Sequence, residues 1–167
     1  MKRCTKCGEL KPLSDFGKHK LGINGINYWC KECVRKHTKA YRDSPAGIYT
    51  NLKGVKKHRK GIEFEMSRQE FVEWYKDQEK TCAYCDIPED KLEIIHNLVN
   101  SRSTRLTIDC VDINKGYRTD NIVLACELCN IIKTNFFNFH EMRDIAQKYI
   151  KPKWQAFLLT EKANENE

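Results

Sequence analysis

The sequence contains no long apolar run. No segment approaches the roughly 18 consecutive apolar residues that a membrane-spanning helix needs, and the N-terminal MKRCTKCGEL lacks the apolar stretch of a secretory signal. A soluble intracellular protein without a membrane partner is expected. Length is the second shortage: 167 residues suffice for one domain, or a small domain and an arm, but not for a large core. Cross-links or bound metals are therefore expected to supply stability. A third absence is any thioredoxin-like βαβ context, which a redox dithiol reading of the cysteines would require.

What is abundant is cysteine. Nine occur, eight of them as four C-x2-C pairs: Cys4/Cys7, Cys30/Cys33, Cys82/Cys85 and Cys126/Cys129, with Cys110 left over. A reducing cytosol disfavours disulfides, and two C-x2-C turns complete a tetrahedral thiolate shell for Zn²⁺. Pairing by order predicts one structural Zn²⁺ on Cys4, Cys7, Cys30 and Cys33, and a second on Cys82, Cys85, Cys126 and Cys129.

Charge is uneven. Residues 1–30 carry six Lys and Arg against two Asp and Glu, residues 31–60 ten against two, and residues 61–167 fourteen against nineteen. A basic N-terminal third on a mildly acidic body reads either as a phosphate-contacting surface or as a solvated helical face. CVRKHTKAYRDS predicts a helix broken at Ser44-Pro45. A second helix then starts at Pro45, with Ile48, Leu52 and Val55 as an apolar stripe and a stop at Gly61. Lys53, Lys56, Lys57, Arg59 and Lys60 are the DNA-contacting candidates on this stretch.

Further on, IEFEM alternates like a short strand, and Ser67 with Glu70 forms a capping box for RQEFVEWYKDQ. Phe71, Trp74 and Tyr75 share a face of that helix, as core or, in the minority reading, as a base-stacking surface. Residues 86–105 show no clean period. A strand near Leu106, a loop turning at Gly116, a strand over Ile122–Ala125 and a helix from about Cys129 follow. A last helix over Phe139–Tyr149 places Met142, Ile145, Ala146 and Tyr149 on one side, and the ANENE tail reads as disordered.

Hard divalent cations take oxygen ligands and promote phosphodiester hydrolysis by activating water and neutralising charge. Asp109 at a strand end and Asn130 at a helix start could supply part of such a shell. Thr107 to Lys133, with Cys82 and Cys85, resembles the ββα-metal motif of HNH endonucleases: Asp-His, a central Asn, then C-x2-C followed by His or Asn and a nearby Lys. Asp109, Asn121, Cys126, Cys129, Asn130 and Lys133 match it, whereas Cys110 stands in the histidine slot. The four-cysteine N-terminus, basic helical linker, C-x-Y-C and C-x2-C-N-x2-K are similar to a branch that includes rare-cutting restriction endonucleases and phage or mobile-element nucleases. In that branch the residue after the Asp is often Arg, so the missing histidine does not mark a dead enzyme.

The resemblance implies an α+β fold: a small zinc-stapled ββα-metal nuclease domain with an N-terminal zinc-ribbon or knuckle element and a basic helical linker. The expected boundaries are 1–43, 44–66, 67–155 and a tail at 156–167. It implies a catalytic Mg²⁺ or Mn²⁺ on Asp109 and Asn130, Asn121 bracing the loop, Lys133 near the phosphate, and Tyr84 at the scissile phosphate or the water. Tyr84 as packing, Cys110 as proton acceptor or buried thiol, and His58 or His96 as a distant imidazole remain open. The implied function is site-specific cutting of double-stranded DNA in a bacterial or phage-infected cytoplasm. A double-strand cut would require two sites and hence a homodimer. The competing class is a catalytically inactive zinc-dependent nucleic-acid-binding protein.

Overall fold

The computed structural model describes residues 1–57, 62–94 and 105–164, with side chains throughout these spans except at 55–57 and 161–164. The chain divides into two compact units, Met1–Asn51 and Leu52–Glu167. None of the described helices is long and apolar enough to cross a membrane.

In the first unit β1 (Lys2–Arg3) pairs antiparallel with β2 (Leu10–Lys11) around a turn bearing Cys4 and Cys7. Gly8 closes that turn at φ 77°, a left-handed conformation that costs glycine little. A second antiparallel hairpin joins β3 (Phe16–Lys18) to β4 (Ile26–Cys30). Cys30 then stands at the N-cap of α1 (Lys31–Asp43), which puts Cys33 in the first helical turn. Phe16, Cys4 and Cys30 form a small core, with Ile26, Trp29 and Cys33 packed against it. The expected break is present: Ser44 ends α1, its hydroxyl donating to the Tyr41 carbonyl at 2.6 Å, and Pro45 opens α2 (Pro45–Lys57).

The second unit continues with α3 (Arg68–Asp77), whose start is the expected capping box: Ser67 N–H donates to Glu70 Oε2 at 2.7 Å, and Glu70 N–H to Ser67 Oγ at 3.2 Å. Phe71 and Tyr75 are buried and Trp74 leans on both rings, so the aromatic face is core. Burial of a side chain such as Phe71 stabilises the fold by about 1.5–3 kcal/mol. IEFEM does not form a strand. It makes one parallel bridge, Phe64 to Tyr117, secured by Tyr117 N–H to Glu63 O at 2.9 Å and Glu65 N–H to Tyr117 O at 3.0 Å. Gly116, at φ 67°, allows this approach, since a Cβ there would lie 2.7 Å from Glu63 O.

β5 (Thr107–Cys110) and β6 (Ile122–Ala125) form an antiparallel pair in which Thr107 faces Ala125 and Asp109 faces Val123. The next helix, α4 (Glu127–Lys133), begins earlier than the expected Cys129 because Cys126 is its N-cap, its thiol accepting from Cys129 N–H at 3.4 Å.

The C-terminal helix also departs from expectation. It runs as α5 (Phe139–Ile145), a π turn (Ala146–Ile150) and α6 (Lys151–Asn164), well beyond Tyr149, while residues 165–167 of the tail lie outside the described residues. Met142, Ala146, Ile150 and Trp154 are buried and Tyr149 is exposed. Residues four apart drift around an ideal α-helix of 3.6 residues per turn, and a wider π turn offsets that drift. The buried stripe therefore takes Ile150 in place of Tyr149.

The two units share one plan. Cys4 N–H donates to Glu9 O as Cys82 N–H does to Ile87 O, both at 2.9 Å, and Gly8 N–H to Cys4 O as Asp86 N–H does to Cys82 O, again at 2.9 Å. Thr5 N–H to Tyr28 O at 3.2 Å is matched by Ala83 N–H to Leu124 O at 2.8 Å. Gly8 and Asp86 both have positive φ, and Cys30 and Cys126 both cap the helix after the second strand. Each unit is thus a cysteine knuckle laid against a β-hairpin that feeds a helix.

Candidate functional site

That plan brings the eight paired cysteines into two clusters, Cys4, Cys7, Cys30, Cys33 and Cys82, Cys85, Cys126, Cys129, with all sulfurs of a cluster within 4.8 Å of one another. Cys4 Sγ lies 3.8 Å from Cys33 Sγ, and Cys85 Sγ 3.7 Å from Cys126 Sγ. A tetrahedron of sulfurs around zinc at about 2.3 Å has edges of about 3.8 Å, whereas a disulfide needs about 2.05 Å. The donor set and spacing fit a tetrahedral metal. Burial opposes charge on Cys4, but N–H groups of Cys30, Cys7 and Lys6 outweigh it and hold that thiol below its ordinary range, favouring the thiolate a metal needs.

On the β5–β6–α4 element several other sequence candidates meet. Asp109 is buried, and Tyr84, on the Cys82–Cys85 knuckle, donates its hydroxyl to Asp109 Oδ2 at 2.5 Å. Lys133, from the last turn of α4, sets its ammonium 3.3 Å from the same oxygen and donates to the Cys110 carbonyl at 2.9 Å, with only 3% of the residue exposed. Burial holds the Asp109 carboxyl above the usual range, opposed by Tyr84 and Lys133. Burial, then the bond to Asp109 and its charge, pushes the Tyr84 phenol upward, so Tyr84 stands as a proton donor to the carboxylate.

Asn130 lies one α4 turn before Lys133 and donates its amide nitrogen to Thr107 Oγ1 at 2.9 Å. Alternate strand residues share a face, so Thr107 and Asp109 line the same side of β5. The amide oxygen of Asn130 and the carboxylate of Asp109 are hard donors of the kind Mg²⁺ or Mn²⁺ takes.

Cys110 falls on the opposite face, inside the loop from 111 to 121. Its sulfur lies 3.3 Å from Asp112 O and 3.2 Å from Gly116 O. The buried Asn121 spans the same loop: its amide nitrogen donates to Asp112 O and Gly116 O, both at 2.7 Å, and its oxygen accepts Asp112 N–H at 3.1 Å. Lys53 is exposed on α2 and Lys56 and Lys57 belong to the same helix, whereas His58, Arg59, Lys60, Gly61 and His96 lie outside the described residues. A surface groove of about 600 Å³ beside the site includes Asp112, Lys133, Phe136 and His140. His140 is thus an imidazole near the site that sequence spacing alone gave no reason to select.

The sequence also gave no sign of what holds the knuckle. Arg143, Gln147 and Trp154 donate to the successive carbonyls of Ala83, Tyr84 and Cys85, the Gln147 bond at 2.7 Å and the Trp154 bond at 3.1 Å. The carboxylate of Asp86 accepts from Lys151 at 2.7 Å, Gln147 at 2.9 Å and Arg143 at 3.2 Å. Burial works against charge on Asp86, but these donors prevail and hold it below the ordinary range. A lowered folded value means stability present above the unfolded pKa of about 3.9 and lost as pH falls through the folded value. Asp86→Asn, which tolerates positive φ, should therefore cost about 1 kcal/mol at neutral pH, the pairs being partly screened by water. Thermal melts at stepped pH should show that difference closing in acid; a constant difference would mean the charge is not what holds the clamp.

No family model matches the sequence. Over 74 residues the chain is 38% identical to an uncharacterized protein of Acanthamoeba polyphaga mimivirus, a stretch covering 44% of this chain and 11% of that protein. The chain therefore spans only about a tenth of the curated relative it matches. Its structure is similar to that of PacI, a rare-cutting HNH restriction endonuclease that perturbs DNA, with a TM-score of 0.56 and 25% identity over 93% of this chain and 97% of the other. The chain has the α+β, cysteine-clustered architecture of the HNH nucleases, and the similarity supports a nuclease of HNH type.

Proposed function

We propose that this chain is a divalent-metal-dependent DNA endonuclease that hydrolyses phosphodiester bonds site-specifically, as a restriction, homing or phage enzyme does. The observation that carries this is the meeting of Asp109, Lys133 and Asn130 on one ββα element with Tyr84 from the knuckle, the two stapled by four cysteines. Zn²⁺ on each four-cysteine cluster is structural. Asp109 and Asn130 would hold Mg²⁺ or Mn²⁺, which supplies a polarised water and neutralises charge on the phosphate. Tyr84 and Lys133 orient the Asp109 carboxylate, Asn121 and Cys110 brace the loop beside it, and Lys53, Lys56, Lys57, Arg59 and Lys60 meet double-stranded DNA. A double-strand cut then follows from a homodimer with two sites.

Incubating wild type and Asp109→Ala with supercoiled plasmid in Mg²⁺, in Mn²⁺ and without either should give cutting by wild type alone and only with metal. Loss of the metal-binding carboxylate should lower the rate at least about 100-fold. Discrete products would mark site-specific action. One observation favours a second reading: the Lys133 ammonium already neutralises Asp109, as it could in a zinc protein that binds nucleic acid without cutting. Salt-sensitive DNA binding with no cutting in any metal would establish that reading and end the nuclease proposal.

A further inference from the structure

Between the β3–β4 hairpin and α1 the first unit has a groove of about 420 Å³ lined by four cations, Lys18, Lys31, Arg35 and Arg42, with Asn27, Val34 and Thr38, and by no acid. On a helix of 3.6 residues per turn, positions 31, 35, 38 and 42 form one narrow stripe. The other basic residues between them, Lys36 and Lys39, lie off that stripe, and each is paired one turn away: Lys36 with Glu32 at 2.9 Å and Lys39 with Asp43 at 2.8 Å. Among the described residues Lys18, Lys31 and Arg35 make no ion pair. α1 thus neutralises the cations off the stripe and concentrates positive potential on a grooved face.

The plan common to both units indicates what this face is. By the matched knuckle hydrogen bonds and the matched N-cap positions of Cys30 and Cys126, Asn27 on β4 stands where Val123, the cross-strand partner of Asp109, stands on β6, and Val34 stands where Asn130 stands on α4. The groove occupies the face of the hairpin–helix frame that in the second unit carries the oxygen donors. We propose that the first unit is a non-cutting counterpart of the site-bearing element, and that its groove binds the phosphodiester backbone of double-stranded DNA through Lys18, Lys31, Arg35 and Arg42. From Lys31 to Arg42 the stripe runs about 16 Å at 1.5 Å per residue, the axial length of about five base pairs. This rests on the reading of the chain as a DNA-acting protein, and adds a second set of contacts to the basic residues of α2.

The test is a titration of a fluorescent DNA duplex with zinc-loaded protein at stepped salt, without added Mg²⁺ or Mn²⁺, alongside plasmid cutting. Each lost phosphate contact lowers the slope of log K against log salt by about 0.9. The triple variant Lys18→Gln, Lys31→Gln, Arg35→Gln should therefore flatten the slope by about 3 and weaken binding at least about tenfold. The double variant Lys36→Gln, Lys39→Gln, on exposed paired positions, should change it by less than about 1. A wild-type slope in the triple variant, with wild type still binding and cutting, would overturn the groove and leave the nuclease standing. An equal effect of the double variant would overturn it in favour of bulk charge. Preference for an RNA duplex would overturn the DNA assignment, and a wild type that neither binds nor cuts DNA would overturn both readings.

Discussion

Stripping both four-cysteine clusters of metal with a chelator is expected to unfold the first unit completely and to collapse the hairpin–helix element of the second. The knuckle and hairpins of the first unit have little else to hold them: their buried core is Phe16 with two of the ligands themselves, Cys4 and Cys30. Chains of such size rarely bury enough surface to fold without a metal or cross-link. A structural Zn²⁺ contributes apparent binding free energies of about 10–16 kcal/mol, against whole-domain stabilities of about 5–15 kcal/mol. In the second unit the cluster joins the knuckle to the cap of α4, so its loss also releases Tyr84 from Asp109. Order should follow access. Cys7 is exposed, whereas all four thiols of the second cluster are buried, so the first cluster should empty first. Far-ultraviolet circular dichroism, followed against zinc released and thiols exposed, should show two steps. Retained helicity and an unchanged melt after elemental analysis finds no metal would sink the structural role.

What was legible in the chain was local. C-x2-C turns, the Ser67/Glu70 box and the Ser44-Pro45 break each act within a few residues, and the structure has them where the spacing put them. The α+β architecture was legible too, through the resemblance to HNH nucleases that the C-x2-C pairs, Asp109, Asn121, Asn130 and Lys133 carry. What escaped depends on the third dimension. Arg143, Gln147 and Lys151 look in sequence like the solvated side of a helix, yet the first two meet the knuckle carbonyls and the third the Asp86 carboxylate across the fold. A π turn shifts the buried stripe to Ile150, which no ideal period foresees. IEFEM has the alternation of a strand but only one bridging partner, Tyr117. The correspondence of the two units lies in backbone hydrogen bonds, and the side chains on equivalent faces are chemically opposite, so the pattern is visible in the cysteines alone.

Lys133→Met is expected to destabilise the second unit by about 3–5 kcal/mol, the cost of leaving a buried charge without its partner. Lys133 and Asp109 expose only 4% and 8% of their side chains, so water cannot take over the lost interaction, and Tyr84 supplies a single neutral hydrogen bond. The Cys110 carbonyl would also lose its donor. The pH dependence has a definite sign. Burial already holds Asp109 above the ordinary carboxyl range, so the folded state keeps that proton more tightly than the unfolded chain. Stability linked to it is fully present below the unfolded pKa of about 3.9 and is lost as pH rises towards the folded value. Without Lys133 the folded value climbs further, so the deficit of the variant should be small in acid and grow towards neutrality. Urea unfolding of Lys133→Met, Asp109→Leu and the double variant closes the cycle. The double variant should recover most of the loss, since an apolar pair leaves no buried charge behind, while plasmid cutting stays absent because the metal-binding carboxylate is gone. If the double variant is as unstable as the sum of the singles, the two side chains are not coupled and the orientation of Asp109 must come from Tyr84 alone.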